Sequence, residues 1–231
     1  MQNLLTDTTC WLFDLDNTLY SPYSNIFPQI HDRMGLYIMQ RFGVDAERAN
    51  AQRYDYFLRF GTTMRGLMIE HNIEAQEFMD FVHDVDLQAI APDTHVTNLL
   101  HRLPGRKIIF TNADRKHASR ILNHLNLASH FEDIFDIADG DYICKPDKRA
   151  YETLLARYKL EASNCCMFDD MQVNLKTAAE LGMKTVWLRH AADWLRVKPD
   201  TAQHYPHCHY VADDLIPFLE QLLDFRKNGT R

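Results

Sequence analysis

The sequence predicts an α/β fold, a parallel β-sheet with helices on both faces, interrupted near its start by an all-helical insertion. Three observations predict it. From about residue 92 onward, short apolar runs alternate with apolar stripes at helical spacing, as repeated strand–helix units require. Residues 20–91 carry helical spacing only, with no alternating strand pattern. Polar residues of a few chemical types recur just after the apolar runs, where ligands bind in open parallel sheets.

The first strand is Cys10-Trp11-Leu12-Phe13, a continuous apolar run that suits a strand covered on both faces. It breaks abruptly into Asp14-Leu15-Asp16-Asn17-Thr18. In the insertion, Ile30, Met34, Tyr37, Ile38 and Phe42 share one helix face, and Gly43 follows as a C-cap. Asp45 can cap a second helix carrying Tyr54, Phe57 and Leu58. Met64, Leu67 and Met68 predict a third helix, and Phe78, Phe81 and Val82 a fourth. Val96, Leu99, Leu100 and Leu103 then stripe a helix stopped by Pro104-Gly105. Strands follow at 107–111, 134–137, 165–168 and 185–188. Helices between and after them carry Ala118 to Leu125, Tyr151 to Tyr158, Ala178 to Leu181, and Leu215 to Leu223. The expected domains are a catalytic core of residues 1–19 and 92–231 and a helical cap of residues 20–91.

Composition bounds the function. The chain has 231 residues, 46% of them hydrophobic, enough to build a buried core, and a formal charge of −7. An acidic chain is a poor partner for a nucleic-acid polymer, but a small phosphorylated substrate in a locally positive pocket remains compatible with it. No apolar run is long enough to span a membrane, and residues 1–9 lack a basic segment followed by an apolar one, so neither a membrane partner nor a secretory signal is expected. The five cysteines are odd in number and irregularly spaced, which argues against a disulfide framework. Cys165 and Cys166 read as core residues of a protein in the reducing cytoplasm. His204, His207 and His209, with Cys208 among them and Tyr205-Pro206 beside them, read as an irregular loop rather than a metal cluster. Trp187, Leu188 and Trp194 read as packing residues, and Arg115-Lys116 as a solvated helix start.

The chemistry lies at the strand ends. Asp14 and Asp16 stand about 6–7 Å apart along an extended chain, too close for both to stay charged without a cation or a shared proton. Mg2+, a hard ion that takes oxygen ligands, suits them, and Asp170, at the end of another strand beside Asp169, can complete the site. A carboxylate is a competent phosphoryl acceptor, and Asp16 could protonate the leaving alkoxide and later deprotonate water. Lys145 supplies a compact positive charge for a phosphate, and the Thr111 hydroxyl and Asn112 amide can donate to the same group. Asp114 reads as the cap of the helix that follows. Singly, each motif is also ordinary turn or cap chemistry; four in order, each after a strand, are hard to explain that way.

Phe13-Asp14-Leu15-Asp16-Asn17-Thr18-Leu19-Tyr20, Phe110-Thr111-Asn112-Ala113, Lys145-Pro146, and Phe168-Asp169-Asp170 with Asn174 resemble the four motifs of haloacid-dehalogenase-superfamily phosphatases. The resemblance implies a Rossmann-like core with a helical cap between the first and second motifs. It implies Asp14 as nucleophile, Asp16 as acid/base and, through its carbonyl, a Mg2+ ligand, Asp170 as a direct ligand, and Asp169 as a ligand directly or through water. The wording is closest to the pyrimidine 5′-nucleotidase group, through Tyr20-Ser21-Pro22 after the first motif and His117-Ala118 after the second. Met171-Gln172-Val173 departs from that group, which commonly has a serine there. A nucleoside monophosphate such as UMP or CMP is therefore the expected substrate, its base stacked on one of Tyr23, Phe27, Tyr54, Tyr56, Phe57 or Phe60. A sugar phosphate or phosphoglycolate is the alternative, and a non-catalytic binding protein a third reading.

Overall fold

The computed structural model describes residues 2–190 and 205–228. Trp194 and His204 lie outside them. Among the described residues six strands form one sheet: β1 (Cys10–Phe13), β2 (Arg106–Phe110), β3 (Asp133–Phe135), β4 (Cys165–Asp169), β5 (Lys184–Leu188) and β6 (Tyr210–Ala212). Their order is β3-β2-β1-β4-β5-β6, and every neighbouring pair is parallel. This is the Rossmann-like α/β sheet that the resemblance implied. The chain runs outward from β1 to β3, then returns to lay β4 on the other flank of β1. That reversal opens a crevice at the carboxyl ends of the central strands, where such sheets bind ligands.

Every residue of β1 and β4 is buried, as their unbroken apolar runs required. Alternate residues serve opposite faces. Cys10 and Leu12 join Ile108, Phe110, Phe135, Tyr151, Met167 and Trp187 in one core cluster. On the other face the rings of Phe13 and Phe168 stack at 4.6 Å, with Phe131 and Phe218 edge-on to them. Pro104-Gly105 does stop a helix, and the glycine has a second reason. It sits at φ +91°, and a Cβ there would come within 2.7 Å of the Thr9 carbonyl, so no larger residue fits this entry into β2.

The chain divides into two compact units, residues 1–23 with 90–231, and residues 24–89. The first contains the sheet with α1 (Gln2–Asp7), α6 (Thr94–Arg102), α7 (Arg115–His124), α8 (Lys148–Tyr158), α9 (Gln172–Glu180) and α10 (Leu215–Asn228). The second contains α2 (Ile26–Phe42), α3 (Ala46–Phe60), α4 (Thr63–His71) and α5 (Ala75–Val82), the four helices read from spacing. Gly43 ends α2 in the left-handed region, and the Asp45 carboxylate caps α3 by accepting from the Arg48 N–H at 2.9 Å. Of the aromatics considered for base stacking, Tyr56 is buried within its unit, whereas Tyr54, Phe57 and Tyr23 are exposed. A short helix and a short strand escaped the sequence reading. α1 has six residues and β6 three, too few for either periodicity to register. No described helix is long and apolar enough to cross a membrane.

Candidate active site

Asp14 follows β1 directly, and its N–H bonds the Phe168 carbonyl at 2.9 Å, which carries the β1–β4 ladder one step past Phe13. Because β4 pairs with β1 in parallel, the ladder sets Asp169 and Asp170 beside Asp14. One carboxylate oxygen from each of Asp14, Asp169 and Asp170 lies within 4.8 Å of the others.

Lys145 reaches the group from the loop after β3. Its backbone is clamped by Asn112, whose Oδ1 accepts from the Lys145 N–H at 2.8 Å while its Nδ2 donates to the Lys145 carbonyl at 3.1 Å. The ammonium then donates to Asp14 Oδ1 at 2.9 Å, Asp169 Oδ2 at 2.8 Å and the Phe110 carbonyl at 2.8 Å. All three of its protons are placed. Asn112, expected to donate to a phosphate, therefore first holds the loop that carries the lysine. Thr111 is buried, its hydroxyl accepting from the Ala113 N–H at 3.0 Å. Asp114 caps α7, as its sequence position suggested, by accepting from the His117 N–H at 3.1 Å.

The carboxylates differ in how they are held. Asp169 is fully buried and accepts from Lys145, from the Met171 N–H at 2.8 Å, and from Asn174 Nδ2 at 2.9 and 3.1 Å. Asp170 Oδ2 lies 3.0 Å from His190 Nε2, with Asn17 Nδ2 at 3.4 Å, and its carbonyl accepts from Trp187 Nε1 at 2.9 Å. The Asp16 carboxylate stands apart from the three-acid group, with Tyr20 OH at 2.6 Å and His117 Nε2 at 2.9 Å from its Oδ1.

Charge is mismatched here. Three clustered carboxylates, Asp169 fully buried among them, have one ammonium near them, which pairs with Asp14 and Asp169. Burial raises the Asp14 carboxyl well above its ordinary range, Lys145 opposes that, and Asp169 and Asp170 add to it. Asp169 is raised by burial too, again against Lys145. Burial works against the charge on Lys145, yet Asp14 and Asp169 outweigh it and raise the lysine above its ordinary value. An all-oxygen donor set with unbalanced negative charge fits a hard divalent cation better than a soft or nitrogen-seeking one.

A family model for haloacid dehalogenase-like hydrolases matches residues 9–182 of the sequence. The chain belongs to the haloacid dehalogenase-like hydrolase family. A curated relative, Phosphate metabolism protein 8 of Saccharomyces cerevisiae, is 27% identical over 189 residues, which are 75% of this chain and 59% of that protein. The chain thus spans less than two thirds of that relative's length. Among solved structures, the hydrolase YfnB of Bacillus subtilis bound to magnesium has a TM-score of 0.59 at 18% identity, over 94% of this chain and 99% of its own. A phosphatase of the family from Thermococcus onnurineus has a TM-score of 0.61 at 15% identity, over 93% and 98% of the two chains. An L-2-haloacid dehalogenase from Xanthobacter autotrophicus, with chloropropionic acid covalently bound, has a TM-score of 0.56 at 12% identity, over 97% and 100%. At these identities the likeness is one of fold, and one fold serves both chemistries.

Three contacts in this hydrolase were not anticipated from its sequence. Tyr20 and His117 meet on Asp16, and His190 meets Asp170. His190 stands two residues past β5, so extending the strand-end rule to the fifth strand would have found it. His117 lies 101 positions from Asp16, and no local pattern links them. Arg115 and Lys116 form the solvated helix start that was expected, and Arg115 also pairs with Asp133 at 2.8 Å and Asp139 at 2.9 Å and donates to the Ile134 carbonyl. The long guanidinium reaches back along the sheet edge, which its position in sequence does not reveal. His207 is engaged by Gln172 Oε1 at 2.8 Å and His209 by Thr185 Oγ1 at 2.8 Å.

Proposed function

We propose that this hydrolase is a Mg2+-dependent phosphomonoesterase that passes the phosphoryl group through Asp14, with residues 1–19 and 92–231 as its catalytic core. The observation that carries the reading is Asp14 itself. It is a buried carboxylate gripped by Lys145 through one oxygen, grouped with Asp169 and Asp170. In the first step an Asp14 oxygen attacks phosphorus, the bond to the ester oxygen breaks, and Asp16 gives that oxygen a proton. In the second, Asp16 takes a proton from water, which attacks the aspartyl-phosphate and frees phosphate and the Asp14 carboxylate.

Asp14 and Asp170 would hold the cation, with the Asp16 carbonyl beside them. Asp169, whose oxygens already accept from Lys145, Asn174 and Met171, orients the lysine and meets the ion at most through water. When bound, the ion supplies positive charge that keeps the crowded carboxylates ionised and offsets charge on the phosphoryl oxygens. The same oxygens are served by the charge of Lys145 and by donation from the Thr111 hydroxyl and the second amide N–H of Asn112. Dehalogenation needs no acid at the position of Asp16, and this chain both has one and holds it with two side chains.

The substrate reading is a pyrimidine nucleoside 5′-monophosphate of the UMP/CMP type, resting on the motif wording. Five buried free cysteines support a cytoplasmic location. A phosphate-release panel tests the reading: pyrimidine and purine monophosphates, a sugar phosphate, phosphoglycolate and p-nitrophenyl phosphate, each with Mg2+ and with EDTA. Mg2+-dependent release, highest on UMP or CMP, is expected. Preference for another ester would replace the substrate, and inactivity of folded protein on all of them would overturn the phosphatase reading.

A further inference from the structure

We propose that Tyr20 and His117 form a positioning pair that fixes the Asp16 carboxylate for proton transfer to the leaving group, an inference that rests on the phosphomonoesterase reading. Both side chains converge on one oxygen, Asp16 Oδ1, the Tyr20 hydroxyl at 2.6 Å and His117 Nε2 at 2.9 Å. They come from different parts of the chain. Tyr20 closes the turn that begins at Asp16, where the Thr18 and Leu19 N–H groups both bond the Leu15 carbonyl. His117 sits in the first turn of α7, and the Asp114 cap that accepts its N–H fixes where that turn starts. The imidazole is fully buried, while the Asp16 side chain keeps 14% exposure. The holders are thus sealed inside and the held group reaches the rim.

A carboxylate on a short side chain turns about two bonds, and one hydrogen bond leaves it free to swing. Two hydrogen-bond partners on a single oxygen, carried by different parts of the chain, hold the carboxylate more firmly than one. Proton transfer depends steeply on such placement, and a positioned acid contributes roughly 10²–10⁴-fold. An arrangement whose only role was to satisfy buried polar atoms would matter to folding and not to how a leaving group departs.

The test compares two esters. An aryl phosphate such as p-nitrophenyl phosphate expels an oxygen that is stable without a proton, whereas an alkyl phosphate expels one that needs it. Because kcat/KM covers steps only through departure of the leaving group, it isolates the proton donation from the later water attack. In Tyr20→Phe/His117→Leu, kcat/KM for the alkyl monoester ranked first in the panel should fall about 100-fold, and for p-nitrophenyl phosphate at least tenfold less. Tyr20→Phe alone keeps the ring and should show the same bias at about tenfold. His117→Gln, whose Nε2 can stand where the imidazole donor stood, should restore most of the alkyl rate. Equal losses on both esters in folded variants, or no loss on either, would overturn the positioning role and leave the phosphatase reading standing. A wild-type protein inactive on both esters would remove that reading and the pair's role with it.

Discussion

Two clusters in this hydrolase set aspartates against basic side chains and arrive at different electrostatics. In the first, Asp14 and Asp169 share Lys145 while Asp170 beside them meets His190, with Asp169 and the lysine almost completely buried. In the second, Asp133 and Asp139 face Arg115 and Arg157, whose side chains are 44% and 41% exposed. Burial raises Asp133 and Asp139 too, but hydrogen bonds outweigh it, from Arg115 and Tyr158 for Asp133 and from Arg115 and Arg157 for Asp139, and both end below their ordinary values. Asp14 and Asp169 end above theirs. The difference is one of matching at these carboxylates: Asp133 and Asp139 bond two guanidiniums between them, whereas Asp14 and Asp169 divide one ammonium, and Asp136, held beside the second cluster by backbone N–H groups, is raised by burial as they are. A buried, mismatched group of acids is poor structural material, and under the proposed reading an arriving cation would complete it.

The comparison breaks most visibly at Asp14. Asp14→Asn should lower kcat at least about 10³-fold with the far-ultraviolet circular dichroism unchanged, since an amide makes a poor phosphoryl acceptor. Near-native phosphate release from that variant would return Asp14 to the rank of an ordinary ion pair. Asp170→Ala should weaken Mg2+ at least tenfold, read as loss of the Mg2+-induced rise in melting temperature, so that the readout does not depend on turnover. An unchanged Mg2+ titration would take Asp170 out of the site.

The pH dependence should separate the clusters by sign. Asp14 and Asp169 have folded values above the ordinary 3.8, so the metal-free native state holds protons that the unfolded chain has lost, and their contribution fades as pH rises above about 4. Asp133 and Asp139 have folded values below 3.8, so their contribution is complete above about 4 and is lost as pH falls. In urea titrations of the EDTA-treated protein, Asp169→Asn should flatten the decline on the alkaline side. Asp133→Asn should flatten it on the acid side, and the same slope change in both variants would erase the distinction. The smallest effect belongs to Arg157→Met, which should cost about 0.5–1 kcal/mol of stability and leave kcat within about twofold, as expected of a partly exposed pair. A larger loss of activity than of stability would mean that the second cluster serves the first.

Much of this was legible beforehand, for local reasons. A strand buried on both faces must be apolar throughout, so β1 and β4 announced themselves, and the polar residues that end those runs had to be loop or site. The four cap helices declared themselves by spacing, and Asp45 and Asp114 by the short-range chemistry of capping. What stayed hidden was long-range or short-lived along the chain. β6 and α1 are shorter than their own periods can show. The ion pairs of the solvated Arg115 were hidden because its partners lie 18 and 24 residues away. Asn112 looked like a phosphate donor because nothing local says that it clamps the Lys145 backbone.

By itself, then, the sequence determined which groups could do chemistry and that each would come after a strand, because residue type and strand termination are properties of a few neighbouring residues. Only the tertiary structure decided which of them meet. Strand order put Asp14 beside Asp169 and Asp170, and the start of α7 put His117 on Asp16. The charge deficit around Lys145 and the grip on Asp16 are therefore products of packing. Each depends on at least one distant pair, Asp16 with His117 and Asp14 with Lys145, 101 and 131 positions apart, which no local pattern encodes.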